Sequence, residues 1–253
     1  MGTLKKIADI GYKYVEHANY VGRKFYGYTP KEFKKILNDH GLDMISGHVE
    51  FGLDSWDEAK QAFSDCWKYT IEDALTAGQK YVVTPWMDEG VRTDEEKLKQ
   101  LLELFNKSGA LCQKEGVQFG YHNHDFEFQT KFHGKMLYEI ILEQMDKDLV
   151  VQEMDIGNMY NGGGNPLEIL EAYPDRFEMM HIKDEIKSAH GEMGDDYEST
   201  VLGEGILPVK KICKQGKKHG GTSCFIIEQE SYQDRSALAS AKVDFKMMKK
   251  WGY

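Results

Sequence analysis

Hydrophobic and polar positions along this chain switch between two periods. Stretches with apolar residues every three to four positions lead through a turn, often at glycine, into short apolar runs that end in polar residues. Helical spacing covers Thr3–Ile10, TPKEFKKILNDHG (29–41), residues 56–77, Asp94 to Gly116, short pieces near 135–145 and 166–173, and LPVKKICKQGKKHG (207–220). The Thr-Pro start at 29–30 and the glycines at 41, 78 and 116 are the start and stop signals a helix needs. Strands are predicted at 12–16, 42–49, 80–86, 117–124, 149–157, 177–183 and 223–230. Their cores are β-branched or aromatic, the composition of strands covered on both faces.

Helices alternating with strands predict a parallel sheet joined by helical crossovers. No Pro/Gly/Ser-rich linker interrupts the pattern, so a single domain over 1–253 is expected. Nearly every strand ends in chemistry-bearing residues: Glu16 and His17, His48 and Glu50, Trp86, His122 and His124, Glu153 and Asp155, His181 and Lys183, Glu228 and Glu230. Polar residues massed at the C-terminal ends of parallel strands are what a TIM (β/α)8-type barrel uses for its active site. A doubly wound sheet would gather them at one switch point. The chain starts inside a helix, TLKKIADIG, so the barrel is expected to lack its first strand or to be truncated there.

Composition narrows the partners. At 253 residues with 41% hydrophobic and 29% charged side chains, the chain has the apolar mass for a substantial core. A net charge of −10 argues against nucleic acid or an anionic membrane as partner. No apolar run approaches the ~20 residues that span a bilayer. Cys66, Cys112, Cys213 and Cys224 have no paired spacing and read as reduced thiols. The expected compartment is the cytoplasm, with the periplasm open if an N-terminal export segment precedes the chain.

Period two places Glu153 with Asp155, His122 with His124, His181 with Lys183 and Glu228 with Glu230, each pair on one face of its strand. Burying so many acids together is costly, and a bound divalent cation offsets that cost most directly. A mixed nitrogen and oxygen set favours Mn²⁺, Zn²⁺, Fe²⁺ or Co²⁺, with Mg²⁺ admitted. The bland alternatives are a satisfied core histidine at His181, a turn-shaping Asp155, and a structural ion pair for Lys183. His48 stands at a strand end where it could bind a substrate hydroxyl or simply cap the sheet rim, and Trp86 offers an aromatic face for stacking or for ordinary packing. Glu16 and Glu230 are further candidates for substrate contact. NGGG (161–164) and 185–205 read as mobile loops over the strand ends. No basic cluster announces a phosphate site.

The motifs YHNHDFEF (121–128), QEMDIGN (152–158), MHIKD (180–184), LGEGILPV (202–209) and FIIEQE (225–230) resemble the xylose-isomerase-like sugar isomerase/epimerase superfamily of barrels. Its subgroup with the YHNHDFEF motif bears the label sugar phosphate isomerase/epimerase. The resemblance runs over nearly the whole chain, and the superfamily also holds inosose dehydratases and type IV apurinic endonucleases. It implies a carbohydrate enzyme with one divalent metal, and a homodimer is common among relatives. The family holds its metal by Glu, Asp, His and Glu, and the last three positions carry over to Asp155, His181 and Glu228. The first does not: His122, His124 and Glu153 are the alternatives for the fourth ligand. The expected activity is isomerisation or epimerisation through an enediolate, with Glu228 and His122 or His124 as acid/base groups and Glu153 and Lys183 as further catalytic candidates. A histidine in place of a glutamate also suits elimination, so a hydratase or lyase acting on a keto-sugar is the alternative. A sugar-binding barrel without activity is the non-enzyme reading. The endonucleases' DxxH is here Asp155-Ile156-Gly157-Asn158, which argues against that branch.

Overall fold

A computed structural model describes residues 2–188 and 196–253. Seven parallel strands carry the architecture among the described residues: β1 (Tyr14–His17), β2 (Asp43–Gly47), β3 (Tyr81–Thr84), β4 (Gln118–His122), β5 (Val150–Asp155), β6 (Met179–Ile182) and, after an inserted hairpin, β9 (Cys224–Ile227). The hairpin is β7 (Asp184–Lys187) paired antiparallel with β8 (Tyr197–Thr200). The principal helices are α1 (Gly2–Ile10), α2 (Pro30–Asp39), α3 (Asp65–Ala77), α4 (Glu95–Glu115), α5 (Leu137–Gln144), α6 (Ile156–Asn161), α7 (Pro166–Ala172), α8 (Val209–Gln215) and α9 (Ala237–Trp251).

The chain divides into two compact units. One comprises Lys13–His122 and Thr130–Val151; the other comprises Met1–Tyr12, Asn123–Gln129 and Gln152–Tyr253. In the first, β1 pairs with β2, the His48–Val83 bridge links β2 to β3, and β3 pairs with β4, all in parallel. Its core is an aromatic cluster in which Phe51 contacts Trp67, Phe105 and Phe119, with ring centroids 4.6, 5.5 and 5.3 Å away. In the second, β6 pairs with β5 and β9, placing Asp155 opposite His181 in register. Its core is methionine-rich, with Met154, Met179 and Met180 fully buried.

Helix starts follow the expected chemistry. Thr29 and Glu32 close a reciprocal capping box on α2, and Asp94 accepts the Glu96 and Lys97 N–H groups at the start of α4. Three segments depart from the sequence pattern. The helical spacing at 56–77 forms a helix only from Asp65, where Ser64 accepts the Trp67 N–H. Before it, Trp56–Asp57 pairs antiparallel with Ala62–Phe63 around a turn in which Asp57 accepts the Lys60 N–H. The stretch expected as a mobile loop at 185–205 contains the ordered hairpin β7–β8, while 189–195 lie outside the described residues. Helix α9, capped by Ser236 and closed at Gly252, was not foreseen, because its apolar positions are diluted by lysines.

Two buried carboxylates tie loop 202–207 to this unit. Asp184 accepts the N–H groups of Glu185, Gly203, Gly205 and Leu207, and Asp244 on α9 accepts that of Leu202. Burial pushes the Asp244 carboxyl up, to about 6. Its folded value therefore lies above its unfolded one, so its contribution is complete below about pH 4 and is lost as pH rises through 6. Asp244→Asn, which keeps the acceptor, is expected to remove this slope. Relative to the variant, the wild type should lose on the order of 2 kcal/mol between pH 4 and 7. Parallel denaturation curves for the two proteins across that range measure it.

Candidate metal and catalytic site

Strand ends in the second unit bring six of the expected residues together. Asp155 closes β5, His181 stands next to last in β6, Lys183 follows β6, and Glu228 and Glu230 follow β9. His181 is the hub: its Nδ1 lies 3.1 Å from Glu228 Oε2 and 3.9 Å from Asp155 Oδ2, and its Nε2 lies 3.4 Å from Glu153 Oε2. One ligand atom from each of Asp155, His181 and Glu228 lies within 4.8 Å of the other two. Two carboxylate oxygens with one imidazole nitrogen suit Mn²⁺, Zn²⁺, Fe²⁺ or Co²⁺. Glu153 and Asp155 are fully buried, whereas the Glu228 side chain keeps 30% of its surface.

Lys183 supplies the positive charge. Its ammonium donates to Glu230, to Glu228 at 3.4 Å and to Asn158 Oδ1 at 3.3 Å, and lies 3.8 Å from Asp155 Oδ2. Burial acts to lower its pKa, yet Asp155, Glu228 and Glu230 together raise it well above the usual lysine value. Lys183 therefore stays protonated and acts as a fixed charge. Burial likewise pushes the Asp155 carboxyl up, to about 7, against the downward pull of Lys183. A divalent cation at Asp155, His181 and Glu228 offsets that desolvation cost. The donor set fits such an ion.

Backbone chemistry aims the ligands. Asp155 Oδ1 caps α6 by accepting the Gly157 and Asn158 N–H groups, which leaves Oδ2 on the His181 and Lys183 side. Gly157 is required by the close approach of Glu185 and the lysine stem: a Cβ there would stand 2.5 Å from Glu185 Oε1 and 2.6 Å from Lys183 Cδ. Asn123, fully buried, clamps the Asp155 main chain at both ends, accepting its N–H and donating to its C=O, each at 3.0 Å. Ser199 on β8 accepts the N–H groups of Glu230 and Ser231 at 2.8 and 2.9 Å, fixing the chain that carries Glu230 to Lys183.

The remaining expected residues fall elsewhere. His124 lies in the second unit, its ring stacked on Phe126 and its N–H donating to Glu127. In the first unit Glu16, His48 and His122 gather: Glu16 accepts from Ser46 and lies 3.3 Å from His48 Nε2, and the His48 and His122 rings are 4.8 Å apart. His17 joins β1 to this group as a buried neutral imidazole, its pKa lowered to about 3 by burial and by His48. Trp86 is 45% exposed beyond β3, with the Arg92 guanidinium over its ring at 5.4 Å. Asn123, Asn158, Asp184 and Ser199 were not singled out in the sequence. The only signal for the first two was their place inside YHNH and DIGN, between residues that draw attention first.

The model of the xylose isomerase-like TIM barrel family matches residues 4–251. The chain belongs to that family. An inosose dehydratase of Clostridium perfringens is 26% identical over 253 residues, covering 90% of this chain and 81% of its own. The solved sugar phosphate isomerase/epimerase of Parabacteroides distasonis superposes with a TM-score of 0.80 at 28% identity, over 98% of this chain and 91% of its own. The structure of the IOLI protein with a binding zinc atom has a TM-score of 0.74 at 16% identity, over 98% of this chain and 91% of its own, and so shares the fold. The α/β TIM-barrel class expected from the strand-end pattern is the class of this family. No helix among the described residues is long and apolar enough to cross a membrane.

Asn123→Leu removes both bonds of the amide clamp and leaves a buried N–H and C=O without them. The expected loss is roughly 2–4 kcal/mol in denaturant unfolding. A change below about 0.5 kcal/mol would show that the clamp contributes nothing.

Proposed function

We propose that this protein is a divalent-metal-dependent dehydratase that removes water β to the carbonyl of a keto polyol or keto-sugar. The observation that carries the reading is the asymmetry of the strand ends: β5, β6 and β9 lead to a carboxylate, an imidazole and a carboxylate, whereas β4 ends in His122. Isomerisation through an enediolate, as the family resemblance describes it, uses a pair of glutamates. A carboxylate and a histidine instead suit an elimination, in which the groups that take and give the proton differ. The relatives at 26–30% identity that are inosose dehydratases support the same choice.

In this reading Asp155, His181 and Glu228 hold the ion, and Glu153 supports His181 from its Nε2 side. Bound there, the ion supplies a Lewis acid for the substrate carbonyl. Glu228, the most exposed carboxylate of the three-residue set, takes the proton α to the carbonyl. The C–H electron pair becomes the new C=C bond, the β C–O bond breaks, and the departing oxygen leaves as water with a proton from His124, the strand-end histidine of the same unit. Lys183 holds its proton throughout and keeps Glu228 and Glu230 in place.

The test is a panel of keto-inositols and ketoses with the protein loaded with Mn²⁺, Zn²⁺, Co²⁺ or Mg²⁺. A product lighter by one water, lost on chelation and restored by metal, is the expected result. His181→Gln and Asp155→Asn are each expected to lower metal-supported turnover by roughly a hundredfold or more. Products of unchanged mass would instead support isomerisation or epimerisation, the second reading, which the Parabacteroides distasonis relative favours by its 28% identity.

A further inference from the structure

Three of the four tryptophans have a ring or a cation against them: Trp56 faces Phe63 and Lys107, Trp67 faces Phe51, and Trp86 lies under Arg92. Trp251, the last residue of α9, has neither among the described residues. It lines a cavity of about 420 Å³ with Gly203, Leu207, Lys210, Lys211 and Lys214, within the size range of small-molecule sites. We propose that this cavity binds a small aromatic anion, a flat ring carrying a phosphate or carboxylate group, with the ring on Trp251 and the charge on the lysines.

Read strand by strand, the chain announces no basic cluster, but α8 and the turn after it hold one. Lys210, Lys211, Lys214, Lys217 and Lys218 fall between Gly205 and Ile227, a stretch without Asp or Glu in a chain of net charge −10. The acid just before it, Glu204, is held by Arg235 in a bidentate pair. Lys210, Lys211 and Lys214 are exposed and make no ion pair among the described residues. By contrast, Lys5, Lys35, Lys60 and Lys68 each reach a carboxylate within 3.2 Å. Like charges four apart on one helix, as Lys210 and Lys214 are, repel one another, and a bound anion relieves that repulsion. The cavity is also preformed. Asp184 fixes Gly203 and Leu207 through their N–H groups, and Asp244 fixes Leu202. Gly203 has a φ of +87°, and a Cβ there would stand 3.1 Å from Met247 Cε and 3.6 Å from Trp251 Cζ2, so glycine keeps this wall clear. A rigid apolar wall, an uncovered indole and unpaired cations are the parts an aromatic anion needs.

Intrinsic tryptophan fluorescence of the whole chain, titrated with adenosine 5′-monophosphate, benzoate, adenosine and inorganic phosphate, tests the assignment. The monophosphate or benzoate is expected to change the emission saturably, with a dissociation constant below about 1 mM. Adenosine, the ring without its charge, and phosphate, the charge without a ring, are each expected to bind at least about fivefold more weakly. Whichever aromatic anion binds more tightly tells a phosphate ligand from a carboxylate one. Lys210→Gln combined with Lys214→Gln is expected to weaken that anion at least about tenfold and to leave adenosine unchanged. Trp251→Leu is expected to abolish the emission change and, by calorimetry, to weaken both ring-bearing ligands. If that variant does not fold, the substitutions at the two exposed lysines decide alone. No saturable change with either aromatic anion overturns the proposal, and so does binding that the paired lysine substitutions leave unmoved.

Discussion

A single ammonium group holds this site together. Lys183 is almost completely removed from water, and four side chains converge on its nitrogen: Asp155, Glu228, Glu230 and Asn158. Charges buried to this extent cost several kcal/mol each unless paired and hydrogen-bonded. The lysine offsets part of the repulsion among the carboxylates, and they in turn hold its proton in place. The set is nevertheless rich in negative charge, and that excess would favour a divalent cation at Asp155, His181 and Glu228. In the proposed reading lysine and metal are complementary: one is a permanent charge built into the strand end, the other a charge the strand ends would recruit.

That arrangement demands rigidity, and the chain supplies it mostly through its main chain. Asp155 uses one oxygen to cap α6 and keeps the other for the site. Asn123 does for the end of β5 what a further rung of ladder would do, binding both N–H and C=O of one residue. Ser199 and Asp184 do the same for the segments after β9 and β6. Each of these polar side chains is itself buried, so its bonds are made in a low dielectric and are costly to lose. The side chains of the candidate site are thus held by a second set of residues behind them.

Much of this could be read from the chain. The buried strands such as β3 and β5 were visible because both-face burial demands continuous apolar runs, and β5 lies inside its predicted 149–157. The pairing of His181 with Lys183 and of Glu228 with Glu230 followed from period two alone. What escaped was whatever depends on contacts across sequence distance. Asn123 and Asp155 are 32 positions apart, and Ser199 is 31 from Glu230. The hairpin β7–β8 escaped because its strands carry charged and hydroxyl side chains, and α9 because lysines cover its exposed face.

By itself the sequence determined the strand-and-helix alternation, the barrel class and the crowd of titratable groups at the strand ends. These are consequences of local periodicity, which the chain carries in every ten-residue window. Only the tertiary structure decided which of those groups share a charge. It set Lys183 as a saturated ion-pair donor, Asp184 as an internal anion in a nest of N–H groups, and His124 as a ring stacked on Phe126. The strength of an ionic or hydrogen-bonded contact is fixed by ångström-scale distance and by burial, and neither is a property of the residue order alone.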